Sequence, residues 1–201
     1  MYHQGSRIFQ DRFDTRRLAD RMAERIVTDA IDNEDRRLVE SADMFFLATV
    51  DDRGYPNCSY KGGDPGFVRV VDEHTLAFPN YDGNGMYLSM GNVARTSHVG
   101  MLFIDWQTPR RVRINGDARV DFEDPLLASY AEAQFIVRVT IREIFPNCGR
   151  YVHRYTLSKR SRFVPRAGVA TPVPDWKLSE LACGVLPEND PASKQQNTKA
   201  P

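Results

Sequence analysis

Two glycine-rich segments carry the residues best suited to hold a ligand. The first is Asn80-Tyr81-Asp82-Gly83-Asn84-Gly85-Met86-Tyr87-Leu88-Ser89, which leaves a strand and enters a short helical stretch. Gly83 and Gly85 allow positive φ and close backbone approach. A helix start beyond them offers free amides to a phosphate, and Ser89 adds a hydroxyl one turn in. The spacing is neither GxGxxG nor a Walker A loop, and the same residues also read as a plain turn and helix cap. The second segment, Ser59-Tyr60-Lys61-Gly62-Gly63-Asp64-Pro65-Gly66, interrupts a strand and can expose backbone amides. Lys61 supplies a cation and Arg69 follows shortly after. The alternative there is an ordinary bulge or loop with a surface lysine.

Three further groups bear on chemistry. Arg111 and Arg113 share one strand face by alternation, and Val112 and Ile114 take the other. That pair is either a solvated stripe or a contact for an anionic or carbonyl-rich ligand edge. The run Asn147-Cys148-Gly149-Arg150-Tyr151-Val152-His153-Arg154 gathers amide, cation, phenol and imidazole. His153 reads there as structural or, with Tyr151, as a proton donor. His3, His74 and His98 show no metal-ligand spacing, so no metal is expected. No Ser/His/Asp signature, HExxH or acid/base carboxylate pair is present, and no catalytic residue is assigned. Cys148 is a better reactive thiol than Cys58, which lies within a strand.

The elements that must position these groups follow from periodicity. Leu18, Met22, Ile26, Ala30 and Leu38 recur at near-helical spacing in a charge-dense region, predicting one or two amphipathic helices over Thr15–Ser41. From Met44 the period becomes that of strands. Phe45–Val50, Tyr55–Lys61, Phe67–Val71 with Leu76–Phe78, Val99–Asp105, Arg111–Val120 and Phe135–Phe145 are separated by turn residues. Asp124-Pro125 predicts a helix start, with the helix over Leu126–Gln134. This predicts a mainly β fold with flanking helices: a six-stranded antiparallel split β-barrel and an N-terminal helical segment. The expected organisation is a helical segment over 1–42, packed on a barrel over 43–165. A Pro-rich extended tail then covers 166–201, its polar end from Asn189 disordered.

The totals narrow the function classes. The chain has 201 residues and zero formal net charge, which argues against nucleic acid or an anionic membrane as partner. Its three cysteines form no CxxC pair. No apolar run is long enough to span a membrane and no signal-peptide core is present, so a reducing cytoplasm is expected.

Taken together, the opening QDRFDTRRLADR and the segments FFLATVDDRGYPNCSYKGG, PGFVRVVDEHTLAFPNYDGNGM, SMGN, VGMLFID, RRVRINGDARV and IFPNCGRYVHR resemble the pyridoxamine 5′-phosphate oxidase-like family of flavin-binding split barrels. The closer similarity is to its flavin-nucleotide-binding branch. The resemblance covers roughly residues 3–165 and implies a homodimer with FMN at the subunit interface. It implies that Ser59, Lys61, Asn84, Gly85, Met86 and Ser89 hold the phosphate and ribityl chain, and Gly62 and Arg69 of the same glycine-rich region are further candidate cofactor contacts. The oxidase's Arg-Lys pair entering the helix is replaced by Leu88-Ser89, which leaves neutralisation of the phosphate to Lys61 and backbone amides. A ring-contacting glutamine of the oxidase falls near Arg111, so a cation would meet the N1/O2 edge of the isoalloxazine. Arg150, His153 and Trp176-Lys177 would line the pocket from either subunit. The oxidase's C-terminal substrate-reading stretch has no match here, so the resemblance implies the cofactor rather than that particular substrate. The expected function is an FMN-dependent oxidoreductase acting on a small molecule. The alternatives are a flavin carrier or sensor without turnover, or a split barrel that uses heme or a deazaflavin.

Overall fold

Strand alternation from Met44 onward sorts the side chains into two faces. In β1 (Met44–Val50), Phe45, Leu47 and Thr49 are buried while Ala48 is exposed. The other strands are β2 (Pro56–Gly62), β3 (Arg69–Asp72), β4 (Thr75–Asn80), β5 (His98–Asp105), β6 (Arg110–Asp121) and β7 (Phe135–Asn147). They form one antiparallel sheet in the order β2-β1-β5-β6-β7-β4-β3. The mainly β, antiparallel expectation holds, with seven strands in place of six. The count rises because the expected Phe67–Val71 and Leu76–Phe78 segments form two separate strands, the short β3 pairing with β4 across the turn at Glu73-His74. β2 and β3 have no pairing with each other and stand as the two edges of the sheet.

These positions come from a computed structural model that describes residues 1–197. The chain divides into two compact units, Met1–Leu157 and a second beginning at Ser158. The core of the first gathers around Phe45. Its ring stacks on Phe103 at 5.1 Å, meets Phe78 edge-on at 5.1 Å and lies 5.9 Å from Phe67. Gly116 marks a register shift between β6 and β7. A Cβ at that position would collide with the Thr140 carbonyl oxygen, so the bulge requires glycine.

Three helices precede the sheet: α1 (Gln4–Arg12), α2 (Arg16–Ile26) and α3 (Asn33–Ser41). α3 starts where Asp32 accepts from the amides of Glu34 (2.8 Å) and Asp35 (2.7 Å), and it buries Leu38 and Val39. Arg110 at the start of β6 pairs with Asp35 (2.8 Å) and Glu34, tying α3 to the sheet. Loss of an N-cap carboxylate costs about 1 kcal/mol. Asp32→Ala is therefore expected to lower the unfolding free energy by that amount, read as a lower denaturant midpoint, and an unshifted midpoint would refute the cap's contribution.

The helix expected over Leu126–Gln134 is instead a short 3-10 turn, Pro125–Ser129, capped by Asp124. α4 (Leu88–Thr96) sits between β4 and β5. The second unit holds 3-10 turns at Asp175–Leu178 and Glu180–Ala182 and a helix, α5 (Pro191–Asn197). A buried ion pair joins Lys177 to Asp190 there at 2.5 Å. α5 falls within the stretch expected to be disordered, whose last four positions, 198–201, lie outside the described residues. Among the described residues, no helix is long and apolar enough to cross a membrane.

Candidate anion site between β2 and α4

The register of β2 against β1 decides which of its side chains face inward. Ser59 lies opposite Leu47 and Lys61 opposite Phe45, both core residues. Ser59 and Lys61 therefore share the inner face. Tyr60 and Cys58 turn outward beside Phe46 and Ala48. β2 is an edge strand, so its inner face is only partly covered, and the cover is α4.

α4 runs antiparallel to β2, held by two polar contacts to β1 and one to β2. Thr96 donates to the Val50 carbonyl (2.7 Å), and Asn92 donates to Thr49 Oγ1 (3.0 Å). Ser89 Oγ lies 3.1 Å from Ser59 Oγ, one hydroxyl donating to the other. Val50, Thr49 and Leu47 are partners of Pro56, Asn57 and Ser59, so the contacts climb β2 as they descend α4. Extending that register carries the α4 N-terminus and the Gly83–Tyr87 loop toward Lys61.

That N-terminus is left without a side-chain cap. Its N-cap, Tyr87, is in the left-handed region at φ 47°. The first amides of any α-helix lack intrahelical acceptors and carry the positive end of the helix dipole. Gly85 supplies the positive φ of 75° that the loop needs just before the helix. Asn84 accepts from the Met86 amide at 3.1 Å, which shapes the loop, and Met86 itself is exposed.

Lys61 is half-buried, and among the described residues its amine has no hydrogen-bond or ion-pair partner. Burial pulls its pKa below the ordinary lysine value, with no carboxylate to offset it. Tyr81 follows β4 at the entry to the same loop. Burial, with smaller contributions from Tyr130 and Asp64, pushes its phenol up to about 12, so it stays protonated at neutral pH.

The expected site residues thus divide. Ser59 and Ser89 meet, Lys61 shares the β2 face of Ser59, and the Asn84-Gly85-Met86 loop leads into the start of α4. Gly62 ends β2 in close approach to the Tyr60 ring, where a Cβ would come within 2.7 Å of it. Arg69 opens β3 and stacks 4.6 Å from the centroid of Tyr130, whose hydroxyl donates to the Phe67 carbonyl. Arg111 lies on the opposite sheet face, half-buried, with Nη2 donating to the Cys148 carbonyl at 2.9 Å. Its Nε and the Asn147 Oδ1 across the β6–β7 pair are both buried without partners. Arg150 is exposed above Tyr151, and His153 is exposed in an extended segment. Trp176 belongs to the second unit, its ring 5.7 Å from Lys177 Nζ.

The polar ladder of Thr49, Asn92 and Thr96 was not anticipated. Its trace in the sequence is the spacing of Ser89, Asn92 and Thr96, which places three hydrogen-bonding side chains on one helix face.

A family model described as pyridoxamine 5′-phosphate oxidase matches residues 31–151. No curated protein matches the chain. Several solved structures are similar to it. A candidate pyridoxamine 5′-phosphate oxidase from Lactobacillus delbrueckii is 26% identical, covers 59% of this chain and 95% of its own, and has a TM-score of 0.48. An FMN-binding protein from Syntrophomonas wolfei is 12% identical over 70% of this chain and 97% of its own, with a TM-score of 0.45. The heme storage protein HutZ from Vibrio cholerae is 15% identical over 58% and 94%, with a TM-score of 0.43.

Proposed function

The chain belongs to the pyridoxamine 5′-phosphate oxidase family, and from that premise we propose that it binds a flavin nucleotide, FMN, and serves as an oxidoreductase for a small organic molecule. The observation that carries this reading is Lys61. A half-buried ammonium with no anion beside it among the described residues is costly, and the uncapped α4 begins one residue before Ser89, whose hydroxyl meets Ser59 on the β2 face that also carries Lys61. Together they fit a phosphate monoester, with Ser59 and Ser89 as neutral hydroxyl partners.

When bound, the flavin would supply hydride-transfer chemistry. The chain's own part is to hold the phosphate, orient the ring and limit water. Lys61 and the α4 amides hold the anion. Tyr81, kept protonated, can only donate from its hydroxyl hydrogen or accept at oxygen, and it adds no charge to the site. Arg111 faces away from Lys61 within one chain, so we assign its ring-edge contact to a homodimer, one copy serving the site of the other. The outer face of β2, β1 and β5 suits such pairing. Phe46 and Tyr60 meet edge-on there at 6.2 Å, beside exposed Ala48 and Cys58. All three cysteines are exposed free thiols, which suits a reducing compartment, and we place the protein in the cytoplasm.

The test is spectroscopic. Purified protein incubated with FMN and desalted should retain flavin absorbance, with FMN identified by mass and a mass in solution of two chains. Colourless protein after that treatment, or a Soret band in place of flavin peaks, would overturn the cofactor. Bound FMN that NADH and NADPH both fail to reduce would favour a carrier over an oxidoreductase.

A further inference from the structure

α2 buries none of its eleven residues. A helix of that length is marginal in water unless its apolar stripe is covered. Leu18, Met22 and Ile26 recur at i, i+4 and i+8, which places them on one face. Ile8 and Phe9 of α1 and its C-cap Phe13 are uncovered as well, and the six side chains expose 38% to 68% of their surface. α1 buries only Gln10. The two helices are joined to each other by polar contacts. Tyr2 donates to the Ala19 carbonyl (3.0 Å), Arg7 pairs with Asp20 (2.7 Å) and Arg16 with Asp11 (2.6 Å). The hairpin is thus fixed internally while its apolar side chains remain outside.

Side chains of this size carry on the order of 150–200 Å² each. The hairpin therefore leaves roughly 500–670 Å² of apolar surface, at or above the upper end for the largest patch on a soluble monomer. Matched with itself across a two-fold axis, that surface would bury about 1,000–1,300 Å², enough for a specific interface. A lipid surface fits less well. Six arginines in residues 1–26 are offset by four carboxylates, and two of the arginines are already paired within the hairpin, whereas interfacial helices keep a strongly cationic face.

We propose that the α1–α2 hairpin packs against the same hairpin of a second copy, clamping the homodimer, an inference that rests on the dimeric reading above. The full chain carrying Leu18→Glu with Met22→Glu is compared with wild type by sedimentation over a range of concentrations, with FMN retention measured in parallel. The expected result is a dimer dissociation constant raised at least 100-fold, with the circular dichroism of the monomer unchanged. Equal dimer affinity in the variant overturns the clamp and leaves the dimer and the flavin reading standing. A monomeric wild type that retains FMN overturns the clamp together with the dimer and spares the cofactor. Wild-type binding to phosphatidylserine-containing vesicles that the variant loses, with no change in dimer affinity, assigns the stripe to membrane and overturns the clamp. Should the variant fail to fold, hydrogen exchange of wild-type α2 decides. Protection that disappears on dilution supports the clamp, and protection independent of concentration refutes it.

Discussion

Lys61→Met is expected to weaken FMN binding about 10- to 100-fold while leaving riboflavin affinity within about twofold. A hydrogen bond to a charged partner contributes about 1.5–3 kcal/mol, which is that range of affinity. Riboflavin lacks the phosphate, so it does not feel the loss if Lys61 serves the phosphate end. Titration of the variant and the wild type by flavin fluorescence quenching separates the two ligands. Equal loss for both would place Lys61 at the ring or in the structural frame, and no loss for FMN would remove it from the site.

The same substitution has a signature in the ligand-free protein. Burial holds the Lys61 pKa below the ordinary 10.5, and no acid among the described residues counters it. Between the depressed folded value and 10.5 the unfolded chain binds the extra proton, so stability rises with pH across that window. Below the window the full cost of a buried ammonium is present. Methionine at 61 should flatten the rise, and the thermal midpoint at neutral pH should hold or increase. Addition of FMN should stabilise wild type and have little effect on the variant. A residue that ties up substrate binding at some expense in stability is the pattern expected of a functional site.

Arg138→Met is expected to cost about 3 kcal/mol of folding stability at pH 7. Asp124 is only 3% exposed, and Arg138 on β7 holds it through Nε and through Nη2 at 3.1 Å. Removing the cation leaves a buried carboxylate whose remaining partner is the Leu126 amide at 2.9 Å. Breaking a buried pair in this way costs about 3–5 kcal/mol, and the partial exposure of Arg138 places this case at the lower end. The Arg138 hydrogen bond, chiefly, holds Asp124 below the ordinary carboxylate value of 3.8. In wild type the pair's stabilisation is therefore complete above 3.8 and is lost as pH falls through the depressed folded value. In the variant Asp124 takes up a proton more readily, so the difference between the two proteins should shrink as pH falls below neutrality. Denaturant titrations at several pH values check this, and a difference that stays constant with pH would assign the loss to packing of the arginine stem.

Much of the fold is legible along the chain because its signals are local. β1 announces itself as a short apolar run and β7 by alternation, and Asp124-Pro125 marks a turn start through its cap and ring. The extent of that turn was misread, since a five-residue 3-10 turn and a helix share the same opening signal. The outward direction of Arg111 and Arg113 also follows from period-two alternation against Val112 and Ile114. The two glycine-rich loops could be named as ligand candidates because positive φ restricts which residues fit, as Gly85 shows.

The sequence by itself therefore determined the strand-and-turn pattern, the two candidate loops and the family they resemble. Only the tertiary structure decided which residues meet. β2 reads Pro-Asn-Cys-Ser-Tyr-Lys-Gly, with no apolar alternation to tell its inner face, so the direction of Lys61 depends on its register against Phe45. Ser59 and Ser89 lie thirty positions apart and touch because α4 descends as β2 climbs. That Lys61 has no ion-pair partner among the described residues is a property of three-dimensional arrangement in a chain with equal numbers of acidic and basic residues. Periodicity reports the direction of a side chain relative to its own backbone. Charge neighbours and burial depend on distant segments, and those are set when the sheet pairs.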